Sequence, residues 1–164
     1  MTPAGRPWQG AQPVHGSADT SYRRIGVLSF RLANCTLPAR GFRRTTGYRI
    51  VEAARTVHHE LGPGFIESIY ARALVAELKS RNLQVQQEKL IKIRYASIVV
   101  GKHRLDLVVD DTVIVELKAN RGIISVHVAQ MNSYLHAAGY PFGLILNFGT
   151  PELEFELIPS RKLD

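Results

Sequence analysis

The chain of 164 residues contains a single cysteine, Cys35. No intrachain disulfide can form, and a cysteine-built zinc site is excluded. One lone thiol suits a reducing compartment, so a cytoplasmic location is the expectation. No apolar run approaches the roughly 18 residues of a membrane-spanning helix, and no membrane partner is expected. Acids are nearly missing from the first 49 positions, which hold one acid (Asp19), no lysine and eight arginines. Residues 50–164 hold thirteen cations and thirteen acids, so the formal charge of +7 belongs entirely to the first third. That asymmetry argues against a uniformly basic protein that coats DNA. What remains is ordinary: 45% hydrophobic residues, and about 115 residues beyond the basic segment, enough for one core.

Residues 1–48 carry four of the eight prolines and six of the thirteen glycines. Their apolar residues keep no helical or strand period, so a disordered basic extension is expected, followed by one domain over 49–164. Other readings of the segment stay open. Tyr22-Arg23-Arg24-Ile25 before Gly26–Phe30 has the outline of an export signal with an arginine pair, cut short by Arg31. Leu32-Ala33-Asn34-Cys35 has the outline of a lipoprotein box, with Asn34 where a small residue belongs. An arginine-rich, acid-poor leader also fits an organelle transit peptide. A mis-assigned start would need a codon other than Met, because the second methionine is Met131.

Periodicity sets in near Tyr48. Ile50, Val51, Ala54, Val57, His58 and Leu61 recur at helical spacing and predict a helix over 49–61. Gly62-Pro63-Gly64 must end it. Ile66, Ile69, Tyr70, Ala73, Leu74 and Leu78 predict a second helix over 65–81, with Asn82 in the left-handed position just past it. Strand character follows over Val85–Tyr95, with a bend or bulge, then Ile98–Val100, His103–Val109 and Val113–Ala119. Ser125 as N-cap and Gly139 as stop bracket a third helix over 125–138, with Ile124, Val128, Met131, Leu135 and Ala138 as its buried stripe. Phe142–Phe148 reads as a central strand. The last strand, 152–158, alternates Leu153, Phe155 and Leu157 inward with Glu152, Glu154 and Glu156 outward, as suits an exposed or edge strand. The order ααβββαββ, with a strand–helix–strand crossover, predicts an α/β fold with a mixed central sheet flanked by helices.

Asp106 and the run Glu116-Leu117-Lys118 interrupt strands that are otherwise apolar, and charges there need a reason. Glu116 and Lys118 share a strand face. Asp106 joins them only if Val109 faces Val113 across a three-residue loop, 110–112, or if a bulge does the same work. Two carboxylates and an ammonium would then converge, a set suited to an oxygen-loving cation such as magnesium and to chemistry on a phosphate. Taken bare, the spacing also fits an acid on each strand and a simple Glu–Lys pair. Lys102, His103, Arg104, Lys118 and Arg121 form a locally basic set that suits either phosphates or a solvated rim. His58 and His59 are adjacent, point to different helix faces, and do not read as a metal pair.

The segment Gly64-Phe65-Ile66-Glu67-Ser68-Ile69-Tyr70 follows His59-Glu60-Leu61-Gly62-Pro63. Val113-Ile114-Val115-Glu116-Leu117-Lys118-Ala119 and Asn147-Phe148-Gly149 come downstream. In this order the motifs resemble the GxxExxY protein family of the PD-(D/E)XK nuclease superfamily, over roughly residues 49–158. The resemblance implies a restriction-endonuclease-like core. It implies Asp106 and Glu116 as ligands of a divalent metal, Mg2+ or Mn2+, with the Leu117 carbonyl as a further ligand. It implies Lys118 beside the water nucleophile, and Glu67 as another acidic ligand or a ligand-orienting group. Without it, Glu67 is simply an acid in a first helical turn. Gln130-x-x-x-Tyr134 resembles an element of RecB-like exonucleases that positions substrate; a half-buried tyrosine on a polar flank reads the same way. Arg104 is a further candidate for positioning substrate.

The expected function is metal-dependent hydrolysis of phosphodiester bonds in DNA or RNA. The alternative is a non-catalytic nucleic-acid-binding or protein-interaction accessory module on the same fold. Small size suggests a homo-oligomer or a protein partner.

Overall fold

The computed structural model describes Phe30–Arg31 and residues 45–160. Apart from those two residues, the expected extension over 1–48 lies outside the described residues up to position 44. Phe30–Arg31 form a short strand, β1, paired with the last strand of the domain.

Helix α1 spans Thr46–Leu61, starting three residues earlier than the apolar period suggests, because the Thr45 hydroxyl accepts the Tyr48 amide at 3.3 Å. Gly62 (φ 67°) ends it and donates its amide to the His58 carbonyl at 2.9 Å. Helix α2 spans Glu67–Ser80, and Asn82 beyond it takes the expected left-handed conformation (φ 58°). Strands β2 (Val85–Tyr95) and β3 (Ile98–Val109) form one long hairpin with a register shift at Ile93/Arg94, so the two segments expected over 98–109 are one strand. Strand β4 (Val113–Lys118), helix α3 (Ser125–Ala138), β5 (Phe142–Asn147) and β6 (Glu154–Pro159) complete the described residues.

The sheet order is β1-β6-β5-β4-β3-β2. Strands β4 and β5 are parallel and joined through α3; the other neighbours are antiparallel. The mixed α/β architecture is therefore the expected one. Helices α1 and α2 bury Ile50, Tyr70 and Leu74 on one face, against Leu107, Val115 and Leu146. Helix α3 buries Met131 and Leu135 on the other, against Val108, Ile114 and Ile145. No helix among the described residues is long and apolar enough to cross a membrane.

Three local expectations are corrected. Glu156 is only 2% exposed. Strand β6 is an interior strand between β5 and β1, and Glu156 shares the face of Ile158, which packs in the α3 layer where alternation alone suggested solvent. Ser125 is the first helical residue, and Ile124 is the cap; its amide is taken by the His127 ring at 3.3 Å. Ile66 and Ile124, both placed on buried stripes by their spacing, are exposed because each precedes its helix.

Candidate active site

The site lies at the C-terminal end of β4. Leu107, Val108 and Val109 pair with Val115, Ile114 and Val113, the register that places Asp106 beside Glu116. The three-residue loop succeeds because Asp110 and Asp111 both adopt left-handed conformations (φ 48° and 49°), which aspartate tolerates better than most residues. The Asp110 carboxylate is held in turn by the Gln84 amide (2.9 Å) and the Thr46 hydroxyl (3.2 Å).

The β3–β4 pairing ends at Leu107–Val115. Beyond it Asp106 Oδ2 accepts the Leu117 amide at 2.9 Å, so a side chain replaces a strand-to-strand bond. Alternation slips at this point. Leu105 joins the α3 layer and Leu107 the α1/α2 layer, although residues two apart on a regular strand share a face. On β2, Glu88 has φ 52°, while its neighbours Gln87 and Lys89 pair with Leu107 and Leu105. The outer hairpin thereby swings across α3. Ile91 and Leu105 enter that core, His103 stacks on Tyr134 with ring centroids 4.0 Å apart, and Lys89 Nζ donates to the Tyr140 hydroxyl at 2.7 Å.

Glu116 is 8% exposed. Its Oε1 accepts from Lys118 Nζ at 2.8 Å, whereas Oε2 is buried and has no hydrogen-bond partner among the described residues. Burial raises the Glu116 carboxyl above its usual range; Asp106 and Glu67 push the same way, and Lys118 opposes them. Glu67, the first residue of α2, reaches across to accept the Ala119 amide at 3.3 Å. His127 is held below the ordinary imidazole range by burial and by Lys118, with Glu67 opposing. Tyr134 is pushed up to about 12 by burial and by the charges of Glu116 and Asp106, against a smaller lowering by a hydrogen bond with Gln130.

The structure thus gathers Glu67, Asp106, Glu116, Lys118 and Tyr134 around one strand end, with Gln130 on the phenol. Arg104 behaves differently: it is exposed and pairs with Glu88 at 3.3 Å. His58 and His59 do separate, His58 turning inward to the Thr150 carbonyl (2.9 Å) and His59 remaining exposed.

The GxxExxY residues also have structural work. Gly64 takes φ 118° in the turn. Fully buried Tyr70 donates its hydroxyl to the Gly62 carbonyl at 2.7 Å, accepts the Phe65 amide at 3.1 Å, and stacks on Phe148 at 4.6 Å. Asn147 is wholly buried. Its Oδ1 accepts from the amides of Asn120 (2.9 Å) and Gly149 (3.2 Å), and its Nδ2 donates to the Asn120 carbonyl (3.1 Å) and Glu154 (3.0 Å). A side chain at Gly149 would lie 2.3 Å from the Asn120 carbonyl oxygen, so only glycine fits there unmoved. Sequence alone places His103 only in a basic set and Asn147 only in a motif; the stacking on Tyr134 and the brace at Asn147 are roles it does not assign, although a polar residue ending an apolar strand was the available signal for Asn147.

As a metal site the donors fit a hard cation in kind: carboxylates, one of them with a free buried oxygen. Among the described residues no three His, Cys, Asp or Glu side chains stand close enough together to hold a metal as they are.

Residues 44–158 match the sequence profile of the PD-(D/E)XK nuclease superfamily. Among solved structures, the chain is similar to the SSO0001 protein at 20% identity and a TM-score of 0.47. That alignment covers 58% of this chain and 51% of that one, so this chain spans about half its length. It is also similar to an alkaline exonuclease, LHK-Exo, from Laribacter hongkongensis, at 14% identity and a TM-score of 0.44, over 71% of this chain and 72% of that one. No curated protein matches the chain.

Proposed function

Since the chain belongs to the PD-(D/E)XK nuclease superfamily, we propose that it hydrolyses phosphodiester bonds in DNA or RNA with a divalent metal, as a GxxExxY-type member. Nucleases of this superfamily generally use divalent metals. The observation that carries the reading is Glu116: a buried carboxylate with an unpartnered oxygen, beside Asp106 and ion-paired to Lys118. An orphaned buried acceptor is costly to keep, and a cation would satisfy it. Asp106, Glu116, Glu67 and the Leu117 carbonyl would hold Mg2+ or Mn2+, which would polarise the phosphate and help ionise a water. Lys118 orients the attacking water and offsets negative charge on the phosphoryl oxygens. Tyr134, with its proton held firmly, donates to a substrate oxygen; Gln130 steadies it, and Arg104 meets a neighbouring phosphate. A cytoplasmic location and a homo-oligomeric or partnered state accompany this reading.

One observation favours the second reading, a non-catalytic nucleic-acid-binding or protein-interaction module: the absence of a grouped set of three ligating side chains among the described residues. Incubating the purified chain with end-labelled single- and double-stranded DNA and RNA, with EDTA, Mg2+ or Mn2+, separates the two. Cleavage should need the metal and fall about 100-fold or more in Asp106→Asn and Lys118→Ala. Unchanged rates in both variants, or no cleavage of any substrate, would remove the catalytic assignment.

A further inference from the structure

Apart from Arg104, the outer part of the β2–β3 hairpin carries charge that the proposed active site does not use. Residues 85–105 contain five cations and one acid, whereas the rest of 50–164 contains eight cations and twelve acids. The neutrality of the domain therefore hides one basic arm. Burial alternates along that arm: Ile91, His103 and Leu105 face α3, while Leu90, Lys92, Arg94, Lys102 and Arg104 face solvent. Leu90 is 64% exposed.

Lys92 lies directly opposite Lys102 across the strand pair. Like charges so placed destabilise a hairpin, and among the described residues neither lysine has an acidic partner within ion-pair distance. Lysine on an edge strand discourages edge pairing, but that role does not call for a second lysine facing the first. The arrangement becomes favourable once a polyanion lies over it. Along the chain the row ends at Arg104, two residues before Asp106, with the Arg104 side chain paired to Glu88.

We propose that the solvent face of the hairpin, centred on Lys92 and Lys102, binds the phosphodiester backbone of a nucleic-acid strand and leads it to the carboxylates. The proposal rests on the nuclease reading for the strand's destination, but its binding step needs no metal and no turnover. It is tested by fluorescence anisotropy of the full chain on labelled single-stranded and duplex oligonucleotides in EDTA, over a salt series. The wild type is compared with Lys92→Ala/Lys102→Ala and with Lys79→Ala, which removes an exposed lysine from α2. The arginines of residues 1–49 are common to all three and cancel in the differences.

The double variant should bind more weakly. Its slope of log affinity against log salt should be shallower by about 1.4 on single strands or about 1.8 on duplex. Lys79→Ala should match the wild type. An unchanged slope in the double variant, an equal loss in Lys79→Ala, or no binding by the wild type would overturn the proposal. Hairpin-dependent binding with no cleavage in any metal would uphold this surface and sink the nuclease reading instead.

Discussion

The Tyr70 hydroxyl is a sharp place to test how the GxxExxY segment works. Replacing it by Phe keeps the ring that stacks on Phe148 at 4.6 Å and removes only the bonds to the Gly62 carbonyl (2.7 Å) and from the Phe65 amide (3.1 Å). Each such bond contributes about 0.5–1.5 kcal/mol net. Phe65 is exposed and Gly62 partly so, which lets water recover part of the loss. Tyr70→Phe should therefore cost about 1–2 kcal/mol, a drop in Tm of roughly 3–8 °C for a domain of this size. The same two bonds pin the turn that precedes Glu67, and Glu67 reaches the Ala119 amide from the start of α2. Activity measured well below the new Tm should fall further than the stability loss explains, because misplacing a reactive group by an ångström can lower a rate by about 100-fold. Urea and thermal unfolding give the first number, and cleavage at a temperature where both proteins are fully folded gives the second. A stability loss under 0.3 kcal/mol with unchanged cleavage would refute the staple; equal activity after a large loss would show that Glu67 does not depend on it.

Glu116→Gln should leave the metal-free protein at least as stable as wild type at neutral pH, since burial already disfavours the charge there. Wild-type Tm should rise with added Mg2+ or Mn2+ while that of the variant stays flat; equal shifts in a fluorescence melt would contradict the assignment of Glu116 as a ligand. Tyr134 gives a pH signature. The folded phenol is pushed up to about 12 and the unfolded one titrates near 10, so between these values the folded state holds more protons. Stability should fall through that window as pH rises, by on the order of 2 kcal/mol. The decline should be weaker in Tyr134→Phe; parallel urea midpoints for the two proteins from pH 9 to 12 would contradict the shift.

Much of this site was legible because parity is strict in strands. Without a bulge in the hairpin, Asp106 can meet Glu116 in one register only, and the adjacent Asp110 and Asp111 provide the left-handed loop that register needs. The slip at Asp106 and Glu88 was not legible. Neither glycine nor proline marks it, and Glu88 takes its positive φ from tertiary context rather than from its own preference. Arg104 looked like a neighbour of the carboxylates by sequence distance, but the same slip turns it outward to Glu88. The glutamates of β6 misled for another reason: alternation identifies two faces of a strand and says nothing of what covers the second. Asn147 stood out only as part of the Asn147-Phe148-Gly149 motif, with no role read from it, although a fully buried amide with four hydrogen bonds is an organising feature rather than a tolerated one.

The three separated motifs share one physical task. Strand β4 loses its β3 partner after Val115, and the amides that follow must be satisfied elsewhere. Asp106 takes that of Leu117, Glu67 that of Ala119, and Asn147 that of Asn120. The strand end is thus held open by side chains reaching in from β3, α2 and β5, and two of those side chains are the carboxylates assigned to metal. Holding the backbone and presenting charge are therefore coupled in the same atoms. Alanine at Asp106 removes both, so lost activity in that variant says little about chemistry. Asparagine keeps an oxygen for the Leu117 amide and removes only the charge. A folded, metal-insensitive Asp106→Asn beside a less stable Asp106→Ala is the pattern this coupling requires, and two variants of equal stability would separate the structural role of Asp106 from its charge.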